Sequence, residues 1–271
     1  MKLYAISDLH VGYPANHALW ETLRPHPADW LIVAGDVGET EEHLRFALGI
    51  ATARFGRVIW TPGNHELWTL PSEEGGLRGV ARYERLVQVC RELGVLTPED
   101  AYPRWPGPGP TLVIAPLFLL YDYSFRPDHV PAGEALAWAR AAGLECTDEV
   151  VLHPDPYPSR QAWCRARCEA TAARLDALDP EVGTVLVNHF PLRRDLAVLP
   201  AVPRFSIWCG TRATESWPQR YRARVVVSGH LHIRSSRRLE GIRFEEVSLG
   251  YPRQRAAHAE VEPYLRQILP E

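Results

Sequence analysis

Three apolar runs in the first 66 residues each end in polar residues: KLYAISDLH at 2–10, WLIVAGD at 30–36 and RVIWTPGNHE at 57–66. The two segments between them, residues 15–24 and 41–55, are typical of helices. Strands that alternate with helices of this length form right-handed βαβ units, and these build a parallel sheet covered on both faces. The sequence therefore predicts an α/β fold with polar residues at the carboxyl edge of a sheet, where ligands bind.

The rest of the chain continues this pattern around one irregular stretch. A helix is predicted at 80–93, and further strands are predicted at 111–121, 184–188, 224–228 and, as a closing pair, at 236–239 and 243–249. Five prolines surround two helical segments, 132–142 and 160–177, within residues 122–179. We expect one domain over residues 1–271, with 122–179 as an insertion that selects the substrate.

Composition excludes several classes of protein. Apolar residues make up 46% of the 271 residues, which is typical of a globular protein and not of a disordered one. The net charge of -3 provides no global basic field for nucleic acid or an anionic membrane. The five cysteines are odd in number and form no CxxC pair, and an acid at position 8 interrupts any apolar leader. We therefore expect a cytoplasmic protein without a membrane span.

Five polar clusters end or follow the predicted strands. In two of them the functional side chains lie two positions apart, so an extended segment projects both to one face. Aspartate, asparagine and histidine without cysteine suit Mn, Fe, Zn or Mg ions better than a structural zinc. The clusters are Asp8-Leu9-His10, Gly35-Asp36, Gly63-Asn64-His65-Glu66, Asn188-His189 and Gly229-His230-Leu231-His232.

Such a set indicates chemistry at phosphorus. Asp36 follows the middle of three successive strands, so it is well placed to bridge two ions. Two metals about 3.5–4 Å apart would hold a bridging hydroxide and stabilise the attacking and leaving oxygens of an in-line displacement. The sequence thus favours hydrolysis of a phosphoester.

The five clusters, in this order, resemble the motifs of the calcineurin-like metallophosphoesterase superfamily: DxH, GD, GNH[ED], a lone His and GHxH. The resemblance runs from residue 8 to residue 232. It implies a four-layer αββα sandwich with two facing mixed sheets. It also implies two divalent metal ions, either Mn, Fe, Zn, Ni or Mg.

The resemblance assigns roles to individual residues. It implies that Asp8, His10, Asp36 and His232 bind one metal, and that Asp36, Asn64, His189 and His230 bind the other. It also implies that His65 contacts the phosphate and is the catalytic acid for the leaving group.

One departure concerns the support of His65. In the phosphoprotein-phosphatase branch a second acid, three residues after the bridging Asp, supports the catalytic His. Here that position is Glu39. Two interpretations stay open: the longer carboxylate orients His65, or it is a solvated residue at a helix start, where the helix dipole favours it.

Two of the residues that follow the fourth predicted strand are candidates for substrate binding. Arg126 would pair with a phosphate oxygen, and Tyr123 would stack on a base or sugar. The alternative is that the aromatic residues of this stretch anchor the insertion.

The function expected from the sequence is that of a dinuclear metal-dependent phosphoesterase. It would hydrolyse a phosphomonoester or phosphodiester of a small molecule or nucleotide, as a phosphatase or phosphodiesterase. A nuclease acting on DNA or RNA is an alternative, but it would need a continuous basic track that the composition does not show. A catalytically silent scaffold is a second alternative, and such relatives usually lose ligands that this chain keeps.

Overall fold

The three N-terminal apolar runs form three parallel strands: β1 (Leu3–Ile6), β2 (His26–Ala34) and β3 (Phe55–Thr61). Helices α1 (Pro14–Glu21) and α2 (Glu41–Arg54) connect them, as predicted, and Thr40 caps α2 by accepting from the His43 amide. The computed structural model describes residues 1–73, 75–256 and 258–271.

A second sheet comes from the later part of the chain. It contains β4 (Leu112–Pro116), β5 (Gly183–Val187), β6 (Ala223–Ser228), β7 (Ser235–Leu239) and β8 (Ile242–Glu246), in the order β4-β5-β6-β8-β7. All neighbours are parallel except β7 and β8, which form the predicted closing pair. The final strand, β9 (Arg266–Leu269), pairs antiparallel with β1 and was not predicted.

The two sheets face each other across an apolar layer. Along β2, Ile32 and Ala34 pack in this layer with Val185 and Val187 of β5. Leu31 has the opposite orientation and packs in the core beneath the helices. Both faces of each central strand are thus buried, at about 1.5–3 kcal/mol per large apolar side chain. The predicted αββα sandwich of two mixed sheets is confirmed.

The fourth strand is shorter than the predicted 111–121. The Leu117 amide still donates to the Val187 carbonyl, at 2.7 Å, but the Leu119 amide donates to the Asn188 side chain instead of to a strand. After Leu117 the chain therefore leaves β5 and crosses the carboxyl edge of the sheet.

The predicted insertion contains three helices: α4 (Ala135–Arg140), α5 (Asp148–Val151) and α6 (Arg160–Asp176). The last of these lies between β4 and β5, which pair in parallel, so α6 has the place of a crossover helix. The part of residues 122–179 outside this βαβ scheme is 122–159. The other helices are α3 (Gly79–Glu92) and α7 (Trp217–Arg220).

The five cysteines are buried and free. None of the described helices combines the length and the hydropathy that a membrane crossing requires.

Candidate metal centre and its cleft

The carboxyl ends of strands from both sheets bring the predicted ligands together. Six of them, with His65, form three overlapping groups whose ligand atoms lie within 4.8 Å of one another. The groups are Asp8 with His10 and His232, His10 with Asp36 and His65, and Asp36 with His189 and His230. Asp36 belongs to two groups, as a bridging residue would.

In the first group, imidazole and carboxylate atoms converge on one point. His232 Nε2 lies 2.9 Å from Asp8 Oδ1 and 3.2 Å from His10 Nε2. His10 Nε2 lies 3.9 Å from Asp36 Oδ2. Atoms that offer lone pairs at these separations suit a divalent cation between them.

Among the residues that the motifs assign to the second metal, three buried atoms lack a hydrogen-bond partner within the described part of the chain: Asn64 Oδ1, His189 Nε2 and His230 Nε2. His189 Nδ1 lies 2.9 Å from the Ala34 carbonyl, which can only accept, so Nδ1 carries a proton and Nε2, 3.3 Å from Asp36 Oδ2, is the nitrogen left for a metal. Unpartnered buried polar atoms cost about 1–3 kcal/mol each. Their convergence fits a metal ion.

The backbone at these positions is strained. Eight non-glycine residues of the described chain have positive φ, and five of them are predicted ligands. These five are Asp8 (54°), His10 (42°), Asp36 (52°), His230 (71°) and His232 (54°). Such conformations cost on the order of 1–3 kcal/mol each and cluster at functional sites. The turns that follow the strands adopt these conformations, which direct the ligand side chains into the site.

The pKa shifts divide the side chains of the cluster into charged and neutral ones. Burial would raise the pKa of Asp8, but His232 and His189 hold it below its usual range. Burial would lower the pKa of His189, but Asp36 raises it to about 10. Burial lowers the pKa of His10 and of His230 to about 3, with repulsion from His65 and His189 respectively. Neutral imidazole is the form that binds metals.

His65 lies beside the ligands and has its own carboxylate partner. Its Nδ1 is 3.1 Å from Glu39 Oε1, and its Nε2 is 3.8 Å from Asp36 Oδ2. Burial opposes the charged ring, but Asp36 and Glu39 raise the pKa of His65 above its ordinary value. Of the two interpretations of Glu39, the geometry favours the one in which it orients His65.

A buried carboxylate that the sequence analysis left without a role fixes the turns themselves. Glu66 accepts from the backbone amides of Asp36, Val37 and Gly63 at 2.9–3.0 Å. It thereby ties the turn after β2 to the turn after β3. Its place at the end of the GNHE cluster is the signal that could have revealed it.

A second residue that sequence reasoning missed comes from the predicted insertion. Asp148, fully buried at the start of α5, accepts from Asn64 Nδ2 at 3.0 Å, Trp68 Nε1 at 2.7 Å and the Tyr121 hydroxyl at 2.9 Å. Because the Asn64 amide nitrogen is engaged, its oxygen is the atom left for a metal. No motif marks Asp148 in the sequence.

The cluster opens into a cavity of about 390 Å³. One side consists of Asp36, Asn64, His65, His230 and His232. A second side of the lining consists of residues 145–148 from the predicted insertion and of Leu199, Val202 and Phe205. Trp68, Leu231, Tyr251 and Gln254 complete the lining.

The sequence profile of the calcineurin-like phosphoesterase family matches residues 1–234. The chain belongs to this family. A related protein, "[Acyl-carrier-protein] phosphodiesterase PptH" of Mycobacterium tuberculosis, is 49% identical over 99% of this chain and 83% of its own length. The crystal structure of "Phosphopantetheinyl Hydrolase (PptH)" from that organism matches with a TM-score of 0.94 and 48% identity, over 100% of this chain and 96% of the other.

Membership of the calcineurin-like phosphoesterase family indicates the chemistry of the site. The protein is a metal-dependent phosphoric ester hydrolase, and its family implies a dinuclear centre of divalent ions. The acids, amide and imidazoles that converge here fit such a centre.

The two predicted substrate-binding residues of this phosphoesterase lie away from the cavity lining. Arg126 Nε donates to the Val130 carbonyl at 2.8 Å. The Tyr123 hydroxyl donates to Glu149 Oε1 at 2.8 Å and accepts from Arg160 Nε at 3.1 Å. Both side chains make these contacts within the insertion, and their role in substrate binding stays a prediction.

Proposed function

We propose that this phosphoesterase hydrolyses the phosphodiester that joins a phosphopantetheine group to a serine of an acyl carrier protein. The 49% identity to a phosphodiesterase of that name over 99% of the chain carries the proposal. A diester with one extended arm also suits the cavity of about 390 Å³ at the strand ends, which leaves room for an arm bonded to the phosphorus.

We propose the ligand assignment that the motifs imply. Asp8, His10, Asp36 and His232 would hold one ion; Asp36, Asn64, His189 and His230 would hold the second. When bound, two divalent ions polarise the phosphoryl group and lower the pKa of the attacking water. The nitrogen and oxygen donors suit Mn, Fe, Zn, Ni or Mg.

We propose His65 as the catalytic acid. The reaction adds water to phosphorus and breaks the bond to the serine oxygen, which must take up a proton as it leaves. His65 Nε2 faces the centre, near Asp36, while its Nδ1 pairs with Glu39. A charged imidazole held in this orientation can give its Nε2 proton to the serine oxygen.

We also propose that residues 122–179 act as the substrate-selecting insertion of a single domain over 1–271. The loop at 145–148 lines the cavity, which supports this role. The buried, free cysteines support a reducing compartment such as the cytoplasm.

The test uses a carrier protein loaded with phosphopantetheine and the Mn-loaded enzyme. We expect the mass of the carrier protein to fall by one phosphopantetheine group, with free 4′-phosphopantetheine in solution. Bis-p-nitrophenyl phosphate reports the diesterase chemistry separately. An enzyme that cleaves this small diester and leaves the carrier protein intact would contradict the proposed substrate.

A further inference from the structure

Three apolar residues of the cavity lining, Leu199, Val202 and Phe205, are linked along the chain by backbone hydrogen bonds, and we call them the ladder. The Val202 amide donates to the Leu199 carbonyl at 3.1 Å, and the Phe205 amide donates to the Val202 carbonyl at 2.9 Å. Two consecutive turns thus link these residues, although the backbone of Val202, with φ -140° and ψ 60°, is not helical. The side chains of Leu199, Val202 and Phe205 all line the same cavity.

The ladder reaches from the metal centre to solvent. The Phe205 ring lies 6.2 Å from the ring of His230, a predicted metal ligand. Val202 is 36% exposed, although it is a large apolar residue at the cleft. Buried Phe125, Ala197 and Cys209 support Leu199 and Phe205 from behind. An apolar surface that packs on buried residues and is exposed to solvent is typical of a binding site.

The charge of the cavity restricts what this surface can bind. Among the described residues that line it, none is a lysine or arginine. A polyphosphate or a nucleic-acid strand would place further phosphates beyond the metal centre, and these would need cationic partners. The ladder instead suits an arm that is uncharged and rich in methylene groups.

We propose that Leu199, Val202 and Phe205 form the subsite for the pantetheine arm of the diester. This inference rests on the proposed function. The phosphorus would lie at the strand ends, the methylene groups of the arm would pack on the ladder, and its amide groups would lie near residues 145–147, which line the same cavity. The 199–205 segment would thereby select the substrate together with the insertion.

The chain offers a matched pair of variants for the test. Val202 and Val198 are both exposed valines of one segment, at 36% and 49%, but only Val202 lines the cavity. We expect Val202→Ser to lower kcat/KM for phosphopantetheinyl carrier protein by roughly fivefold, because it removes part of a buried apolar contact. The double variant Leu199→Ser with Val202→Ser should lose more. Val198→Ser should stay within twofold of the wild type.

Two readouts separate this inference from the proposed function. Hydrolysis of bis-p-nitrophenyl phosphate, which has no pantetheine arm, should be equal in all variants. Calorimetric titration of the Mn-loaded protein with 4′-phosphopantetheine should show binding weakened about fivefold by Val202→Ser. If the wild type releases phosphopantetheine and Val202→Ser matches Val198→Ser in both assays, the subsite is wrong and the function stands. If the wild type neither cleaves nor binds the phosphopantetheinyl probes, both are wrong.

Discussion

The two sides of the cleft are built by different means. The metal side comes from turns directly after strands of both sheets, and five of its residues have positive φ. The second side comes from loops and the starts of short helices, residues 145–148 and 199–205, which do not follow a strand directly. Sheets hold the atoms that must be placed precisely for chemistry, whereas loops carry the contacts that distinguish one substrate from another.

The largest effect is expected on the metal side, from Asp36→Asn. Asp36 Oδ2 lies within 4 Å of His10, His65 and His189, so an amide there removes the charge that both metal groups share. We expect kcat on bis-p-nitrophenyl phosphate to fall by about a thousandfold or more, as when a bridging ligand is lost. Elemental analysis after dialysis should show less bound metal.

The matched control is Asp128→Asn, which neutralises an aspartate whose side chain is 82% exposed and lies outside the cavity lining. This variant should retain both metal and activity. Full metal content and turnover in Asp36→Asn would show that the cluster is not the reaction centre.

The two sides also differ in how far the sequence predicts them. The αββα sandwich and the metal side follow from the sequence, because each ligand stands directly after an apolar run in a known order of motifs. The second side cannot be predicted in this way, because its residues come close to the metal side only in the folded chain. Asp148 contacts Asn64, which lies 84 positions earlier in the sequence, and no motif marks Asp148. The edge strand β9 has only four residues, two of them polar, so periodicity gives no signal for it.

The next largest effect is expected at the junction of the two sides. Asp148→Ala removes the acceptor for Asn64 Nδ2 and Trp68 Nε1, so the Asn64 amide is free to turn. Outer partners of metal ligands are typically worth about 10–100-fold in metal affinity or activity. We expect a loss of that size in kcat, together with weaker binding of one of two Mn ions in a calorimetric titration.

Two further variants separate positioning from folding. Tyr121→Phe removes only the third hydrogen bond to Asp148 and leaves those of Asn64 and Trp68 in place. It should bind both ions normally, with a stability loss of about 1 kcal/mol in a thermal melt. Asp148→Asn preserves shape and should recover part of the affinity. If Asp148→Ala binds two ions with wild-type affinity, Asp148 does not position the predicted metal ligand Asn64.

A smaller effect on the metal side is expected from Glu39→Gln. The variant weakens the pairing that orients His65 through Nδ1. We expect roughly a tenfold loss of kcat on phosphopantetheinyl carrier protein, whose serine oxygen needs a proton to leave. The loss should be much smaller on bis-p-nitrophenyl phosphate, whose leaving group is stable as an anion. Equal losses on both substrates, or a loss of bound metal, would contradict the positioning role.

The smallest effect is expected from Arg126→Ala, at a residue that belongs to neither side of the cleft. The Arg126 guanidinium donates to the Val130 carbonyl, and the Tyr123 side chain, bonded to Glu149, is only 5% exposed. With these contacts, Arg126→Ala and Tyr123→Phe should each change kcat/KM on the carrier-protein substrate by less than about twofold, as for groups outside the substrate contact. A tenfold rise in KM at constant kcat would instead support the phosphate contact that the sequence predicts. It would also extend the substrate-selecting surface from the 199–205 ladder to the start of the insertion.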